Sequence, residues 1–288
     1  MRFQEFKSIF GNNNNCNPYR GCEHNCIYCD ARSLVYNIGG EFTDIIVKQN
    51  AVELARKELS KKKKKTLIHT GSMCDPYTIS EAKLCLTKQI LEVIYEFGFG
   101  VGVLTKSDLI LRDIELFKKI NKRCKAVVCF TITTMDDVIC KKIEPNSSLT
   151  SARFEALKKF HDQNITTGVW LCPTLPFITN DEENIRKIVR KCGEVGVSYI
   201  IVFEFGTTMR DGSREYFYQC LDEVFPGMKE RYQKMYGLQY NCKAPNEKAL
   251  WKVFKEECNR FNIKYEWEDI NKILSVNNNY SQISLFDN

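Results

Sequence analysis

Between residues 66 and 204 short apolar runs alternate with amphipathic segments. The runs "TLIHT" (66–70), "FGVGVLT" (99–105), "AVVCFTI" (126–132), "ITTGVWL" (165–171) and "SYIIVFE" (198–204) read as strands. Near-continuous apolarity marks strands buried on both faces, so the runs point to a parallel sheet. The segments between them carry helical spacing. Leu84, Thr87, Ile90, Leu91, Ile94 and Phe97 fall on one face, interrupted only by the threonine. Ile185, Ile188, Val189 and Cys192 do the same behind an Asn180 or Asp181 cap, with Glu183 in the first turn. Five β–α units emerge, and a weaker sixth strand is expected just before Cys22, near "CNPYR". The alternation predicts an α/β fold with helices outside a parallel sheet. That sheet is either open and doubly wound or a curved, incomplete barrel; periodicity does not separate the two.

After residue 213 the pattern turns helical, in "SREYFYQCLDEVF" and in "PNEKALWKVFKEECNRF" with Leu250, Val253, Phe254 and Phe261 on one face. "GNNNNCN" and "SVNNNYSQISLFDN" are polar segments outside this pattern, and no internal repeat is present. The expected organisation is a polar segment over 1–15, a core over 16–212, a helical extension over 213–270 and a flexible tail over 271–288.

The 288 residues, 43% of them apolar, suffice for one large α/β domain or a core with an appendage. No apolar run approaches a membrane span, and "MRFQEFKSIF" lacks the apolar stretch of a signal peptide. A cytoplasmic location is therefore expected, where the 14 cysteines stay reduced instead of forming a disulfide framework. Cys129 and Cys192 sit where a small core hydrophobe would do. The net charge of +6 is compatible with a polyanionic partner without demanding one. Lys61–Lys65, between a helix and a strand, reads as a solvated loop.

The stretch "NPYRGCEHNCIYCDARS" changes the picture, because it places Cys22, Cys26 and Cys29 at the spacing C-x3-C-x2-C. A structural zinc site wants four ligands, usually from two separated pairs, and no second CxxC pair exists. A ferredoxin-type site wants a fourth cysteine close behind, whereas none follows until Cys74. Coincidental core cysteines do not fit among turn-forming and charged neighbours. The remaining reading is a four-iron cluster held by three thiolates, with one iron open to a non-protein ligand.

That arrangement resembles the radical S-adenosylmethionine (SAM) superfamily, whose C-x3-C-x2-C loop is matched in full, including the aromatic Tyr28 before the last cysteine. The resemblance implies a [4Fe-4S] cluster chelated by SAM, reductive cleavage of SAM to a 5′-deoxyadenosyl radical, and an incomplete (β/α)6 TIM-type barrel. It also implies an electron donor such as flavodoxin or ferredoxin. "TGSMCDPYTISE", "TKSDLILRD" and "GVWLCPTLPFITND" narrow the likeness to the spore photoproduct lyase-related branch over roughly residues 16–210. DNA is then an expected substrate and lesion repair an expected activity.

Further site residues follow from that likeness. Cys74 falls about where the lyase carries its hydrogen-donor cysteine; the alternative is a small pocket-lining residue. Thr70, Gly71 and Ser72 stand in place of the common Gly-Gly-Glu motif, and Ser72 and Asp75 are expected to hydrogen-bond SAM. Lys106 is expected at the SAM carboxylate beside Ser107; otherwise "TKSD" is a strand exit and a helix cap. Thr131 and Thr133 are placed near the ribose, and Tyr28 against the adenine. His24 reads as an exposed loop residue, His69 and His161 as structural. Arg210, Asp211 and Arg214 either grip an anionic substrate or form a turn.

Near the C-terminus "QISLF" resembles the peptide that docks bacterial repair proteins on the sliding clamp, with Gln282, Leu285 and Phe286 as anchors. The alternative is that it folds back over the open sheet edge. Together these residues predict a radical SAM enzyme acting on DNA. Alternatives are an enzyme modifying RNA, a peptide or a small molecule, and a non-catalytic iron–sulfur sensor or nucleic-acid-binding protein.

Overall fold

A computed structural model describes residues 1–11 and 14–276. A small sheet near the N-terminus joins β1 (Arg2–Gln4), β2 (Tyr19–Arg20) and β3 (Ile46–Lys48), and α1 (Ala51–Leu59) leads into the main sheet. That sheet is β4 (Leu67–Thr70), β5 (Gly100–Thr105), β6 (Ala126–Thr131), β7 (Thr166–Trp170) and β8 (Tyr199–Ile201), parallel throughout and in sequential order. All six residues of β6 are buried, as a central strand covered on both faces requires. The crossovers are α2 (Glu81–Leu84), α3 (Leu86–Glu96), α4 (Ile114–Arg123), α5 (Asp137–Ile143), α6 (Thr150–His161) and α7 (Glu182–Val195).

The expected strands thus form, with no end moved by more than three residues. The sixth differs. Tyr19 and Arg20 pair antiparallel with β3 instead, and the neighbour of β4 is a single parallel bridge, Asn15 to His69, with Cys16 N–H donating to the His69 carbonyl at 2.7 Å. The β8 edge is covered in the same economical way by Lys264, which bridges Tyr199. Single bridges leave little unpaired edge for another chain to join.

In α7 the Asp181 carboxylate accepts from Asn184 N–H at 2.7 Å, and the helix ends at Gly196 with φ +80°. The expected helix from Leu84 to Phe97 is broken. Cys85 adopts φ +51°, and the buried Glu81 carboxylate caps the second piece by accepting from Thr87 N–H at 2.9 Å. Leu84 therefore belongs to α2, a separate short turn.

Past β8 come β9 (Gly206–Thr208), α8 (Ser213–Val224), α9 (Met228–Tyr236), β10 (Asn241–Lys243), which pairs with β9, and α10 (Glu247–Arg260). Phe217, Leu221 and Tyr232 of α8 and α9 share an apolar cluster with Cys26, Ile27 and Tyr28. The last described helix, α11 (Trp267–Leu274), spans the expected boundary at 270/271 and enters the barrel. Its Ile270, Ile273 and Leu274 pack among Leu67, Val127 and Tyr199 near the strand starts, while Trp267 lies against Phe203 past the end of β8. Lys125 Nζ secures the lower end by donating to the carbonyls of Ile273 and Ser275. Among the described residues no helix is long and apolar enough to cross a membrane.

Candidate active site

The cluster loop leaves β2 through Gly21, at φ +79°, where a Cβ would lie 2.5 Å from the Phe42 carbonyl oxygen. Cys22 N–H then donates to that carbonyl at 3.1 Å. The loop is held from both sides. Toward the barrel, the Glu23 carboxylate accepts from Ser80 N–H and Ser80 Oγ, each at 2.7 Å. Toward the α5–α6 connection, Ile27 N–H reaches the Ile143 carbonyl at 3.0 Å, and Asn146 Nδ2 reaches the Glu23 carbonyl at 2.9 Å. Tyr28 donates its hydroxyl to Glu144, which is ion-paired with the fully buried Arg153.

Cys22, Cys26 and Cys29 line one cavity of about 740 Å³ at the C-terminal ends of the strands, a size in the usual range for ligand sites. Backbone N–H groups of His24 and Asp75 point to the Cys22 sulfur, and that of Ala31 to Cys29. Burial pushes the Cys22 thiol up to about 12 and raises Cys26 and Cys29 as well. Such thiols ionise at neutral pH when a metal takes the proton's place. Among the described residues no three His, Cys, Asp or Glu side chains are gathered for a single metal ion. Three thiols lining one cavity, with N–H donors aimed at two of the sulfurs, suit a polynuclear cluster, whose irons each take one thiolate. All 14 cysteines are free.

A SAM-sized ligand also fits the lining. Thr70 Oγ1 and Asn15 Oδ1 are buried polar atoms without a protein partner, and both residues line the cavity. Lys106 lines it as well, makes no ion pair among the described residues, and carries its Nζ 5.8 Å from the Tyr28 ring centroid. Burial pulls its ammonium down, but Cys26 and Glu144 more than offset this, so it stays a cation. Gly71 turns the chain out of β4 at φ +102°, where a Cβ would fall 1.8 Å from the Leu104 carbonyl oxygen.

Tyr28, Ser72, Cys74, Asp75, Lys106 and Thr131 all line the cavity, whereas Ser107 and Thr133 do not. Ser107 caps the turn after β5, its Oγ accepting from Leu109 N–H at 3.3 Å. Thr133 is buried behind β6, its carbonyl accepting from Asn184 at 3.1 Å. Asp75 lines the cavity with a carboxylate that also serves protein donors. It accepts from Thr105 Oγ1 at 2.6 Å, Lys106 N–H at 2.7 Å and Tyr77 N–H at 2.9 Å. Burial would raise this carboxyl, but His24 and those donors bring it down to about 2. Ser72 is exposed at the rim and accepts from Asn15 Nδ2.

Cys74 is buried, with Sγ donating to the Tyr19 carbonyl at 2.8 Å. Burial raises its thiol, so it carries its hydrogen at neutral pH.

His24 is buried, not exposed: Nδ1 lies 3.2 Å from Asp75 Oδ2, a contact without hydrogen-bond alignment. His69 faces the cavity, and burial among the surrounding atoms lowers its imidazole pKa. Arg210 is engaged with Asp30 at 3.2 Å and the Tyr240 hydroxyl at 2.9 Å; Arg214 is buried against Asp211 and backbone carbonyls. Lys61–Lys65 precede β4, at the strand starts and away from the cavity. Gln282, Leu285 and Phe286 lie outside the described residues.

Sequence reading missed the Glu144–Arg153 pair and the aromatic wall of Trp170, Phe203 and Trp267. Arg153 had a visible signal, since it shares a helix face with Leu157 and Phe160, an apolar face on which a charge needs a buried partner.

A sequence model of the Radical SAM superfamily matches residues 16–192. An uncharacterised protein of Mycobacterium tuberculosis is 26% identical over 226 residues, covering 76% of this chain and 66% of the relative, just under two thirds of its length. An uncharacterised protein of Methanocaldococcus jannaschii is 34% identical over 168 residues, 58% of this chain and 62% of that one. Among solved structures, spore photoproduct lyase complexed with dinucleoside spore photoproduct superposes with a TM-score of 0.63 at 15% identity, over 90% of this chain and 78% of that chain. A radical S-adenosylmethionine methyltransferase from Kitasatospora setae, with cobalamin and a [4Fe-4S] cluster bound, gives 0.56 at 10% identity, over 88% and 51%. The barrel of the lyase is thus the barrel seen here, and the curved sheet is the one of the two expected forms that is present. With its three-cysteine loop opening on the barrel cavity and the family match spanning more than half its length, the chain belongs to the radical SAM superfamily, with a [4Fe-4S] cluster and S-adenosylmethionine as its cofactors.

Proposed function

We propose that this protein is a radical SAM enzyme related to spore photoproduct lyase, acting on a DNA lesion. One observation carries the reading: three cluster-type thiols, the unpaired Lys106 cation and a buried thiol, Cys74, share one cavity. When bound and reduced, the cluster would supply an electron to SAM, and with it one-electron radical chemistry in the cavity.

The chain's own residues bind and orient. Cys22, Cys26 and Cys29 hold three irons. Lys106 pairs with the SAM carboxylate, Thr70 and Ser72 accept from its ammonium, Tyr28 lies against the adenine and Thr131 meets the ribose. Cys74 returns a hydrogen atom to the substrate radical: its S–H bond breaks, a C–H bond forms, and a thiyl remains on Cys74. For that transfer the thiol rotates off the Tyr19 carbonyl. Lysine and arginine outnumber acidic residues 42 to 36, in keeping with a polyanionic substrate. An electron carrier such as flavodoxin or ferredoxin is the expected reductant, and docking on a sliding clamp through Gln282, Leu285 and Phe286 remains part of the proposal.

The test is anaerobic turnover of reconstituted protein with SAM and reductant, against lesion-bearing and undamaged DNA. Formation of 5′-deoxyadenosine that depends on Cys26 and rises with the lesion supports the reading. A loaded cluster that never yields 5′-deoxyadenosine makes the protein a redox sensor. Turnover with no response to DNA moves the substrate to another class.

A further inference from the structure

Three large aromatic side chains line the cavity; Trp170 packs at the edge of the cluster around Leu67, Val127 and Tyr199, while Phe203 and Trp267 belong to no core cluster. Trp170 ends β7, Phe203 follows β8 and Trp267 opens α11. Ring centroids of Trp170 and Phe203 are 5.2 Å apart at 66°, and those of Phe203 and Trp267 are 5.6 Å apart at 32°. Phe203 is 57% and Trp267 46% exposed, unusual for rings of this size inside a concave site. Their placement is fixed by the barrel: the Lys264–Tyr199 bridge sits immediately before α11, and Lys125 ties its far end. Ordering such rings costs little at binding, because they are already in place.

We infer that Trp170, Phe203 and Trp267 form a stacking site for one unpaired nucleobase of the substrate strand, in the cavity that holds the cluster thiols. The inference deepens the DNA reading and rests on it for the class of substrate. Aromatic faces take planar rings with little dependence on which base is offered, and a base extruded from its stack presents both faces and its polar edge. His69 and Glu204 line the same cavity and can meet that edge, as donor or acceptor and as acceptor respectively. A peptide added as a strand would have to displace the Asn15 and Lys264 bridges at the two sheet edges.

The test uses reconstituted holoenzyme and a fluorescein-labelled single-stranded deoxyhexanucleotide, read by anisotropy. Two of the protein's three tryptophans are in the proposed site, so quenching of intrinsic fluorescence gives a second readout. Phe203→Ala and Trp267→Leu should each weaken binding about tenfold, within the range for losing one base–aromatic stack. Trp267→Phe should restore most of it. Trp251→Phe, whose ring packs on Phe205 and Phe254 away from the cavity, should change nothing. Every variant should keep its iron, and Trp251→Phe should cleave SAM without DNA as the wild type does, so a failed site is told apart from a failed enzyme. An oligonucleotide with a central abasic position that binds and quenches as well as the intact one would overturn the site. So would full quenching by a tryptophan-containing peptide that displaces the DNA.

Discussion

His24 and Asp75 meet at 3.2 Å where the cluster loop lies against the barrel, and the same carboxylate accepts the N–H of Lys106 at 2.7 Å. One buried anion therefore ties the three-cysteine loop to the strand end that carries Lys106. Asp75→Asn keeps the shape and removes the charge. It should cost about 1.5–3 kcal/mol, the usual worth of hydrogen bonds to a charged group. Iron retained after gel filtration should fall with it, and unchanged iron content and melting temperature would detach Asp75 from cluster retention.

Glu144 behaves as the second anchor. Burial would raise its carboxyl, but Arg153 first and Lys106 next hold it below the ordinary carboxylate range. A depressed carboxyl stabilises the fold above its unfolded value of about 4.3 and loses that contribution as pH falls toward the folded value. Melting temperature of the wild type should therefore decline as pH drops below about 5, with a shallower decline in Glu144→Gln. At neutral pH that variant should lose about 3–5 kcal/mol, because Arg153 is left buried without its anion. Equal stability of the two proteins at pH 7 would refute the anchoring role.

Lys106 makes no ion pair among the described residues, although Cys26 and Glu144 feel its charge. Lys106→Ala should keep its iron, while calorimetry shows SAM bound about 1–3 kcal/mol more weakly. Unaltered SAM affinity would leave the residue as a strand exit.

For Cys74 the decisive quantity is product identity. Cys74→Ser preserves size, and its strong O–H bond cannot serve a carbon radical. The variant should load its cluster and form 5′-deoxyadenosine, yet yield an adduct or a solvent-quenched species in place of the normal product. The same product in comparable yield from both proteins would assign Cys74 to lining the pocket.

What could be read from sequence was whatever local pattern controls. Strands such as Ala126–Thr131 were legible because burial on both faces leaves an unbroken apolar run, and the cluster loop because three cysteines lie within eight residues. Residues defined by partners far along the chain were not. His24 has an ordinary loop neighbourhood, and only the fold brings Asp75 over it. Ser107 and Asp75 carry the right atoms for a cofactor, yet Leu109 N–H and the Asp75 donors claim them first. Trp267 was unreadable as a site residue, because its helix had to be known to turn into the barrel.

The position of α11 also sets an order of assembly during synthesis. Cys22, Cys26 and Cys29 leave the ribosome early, whereas Trp267 and the residues that plug the strand starts follow only after all five barrel strands. Until then Leu67, Val127 and Tyr199 lack the apolar side chains that cover them in the finished fold.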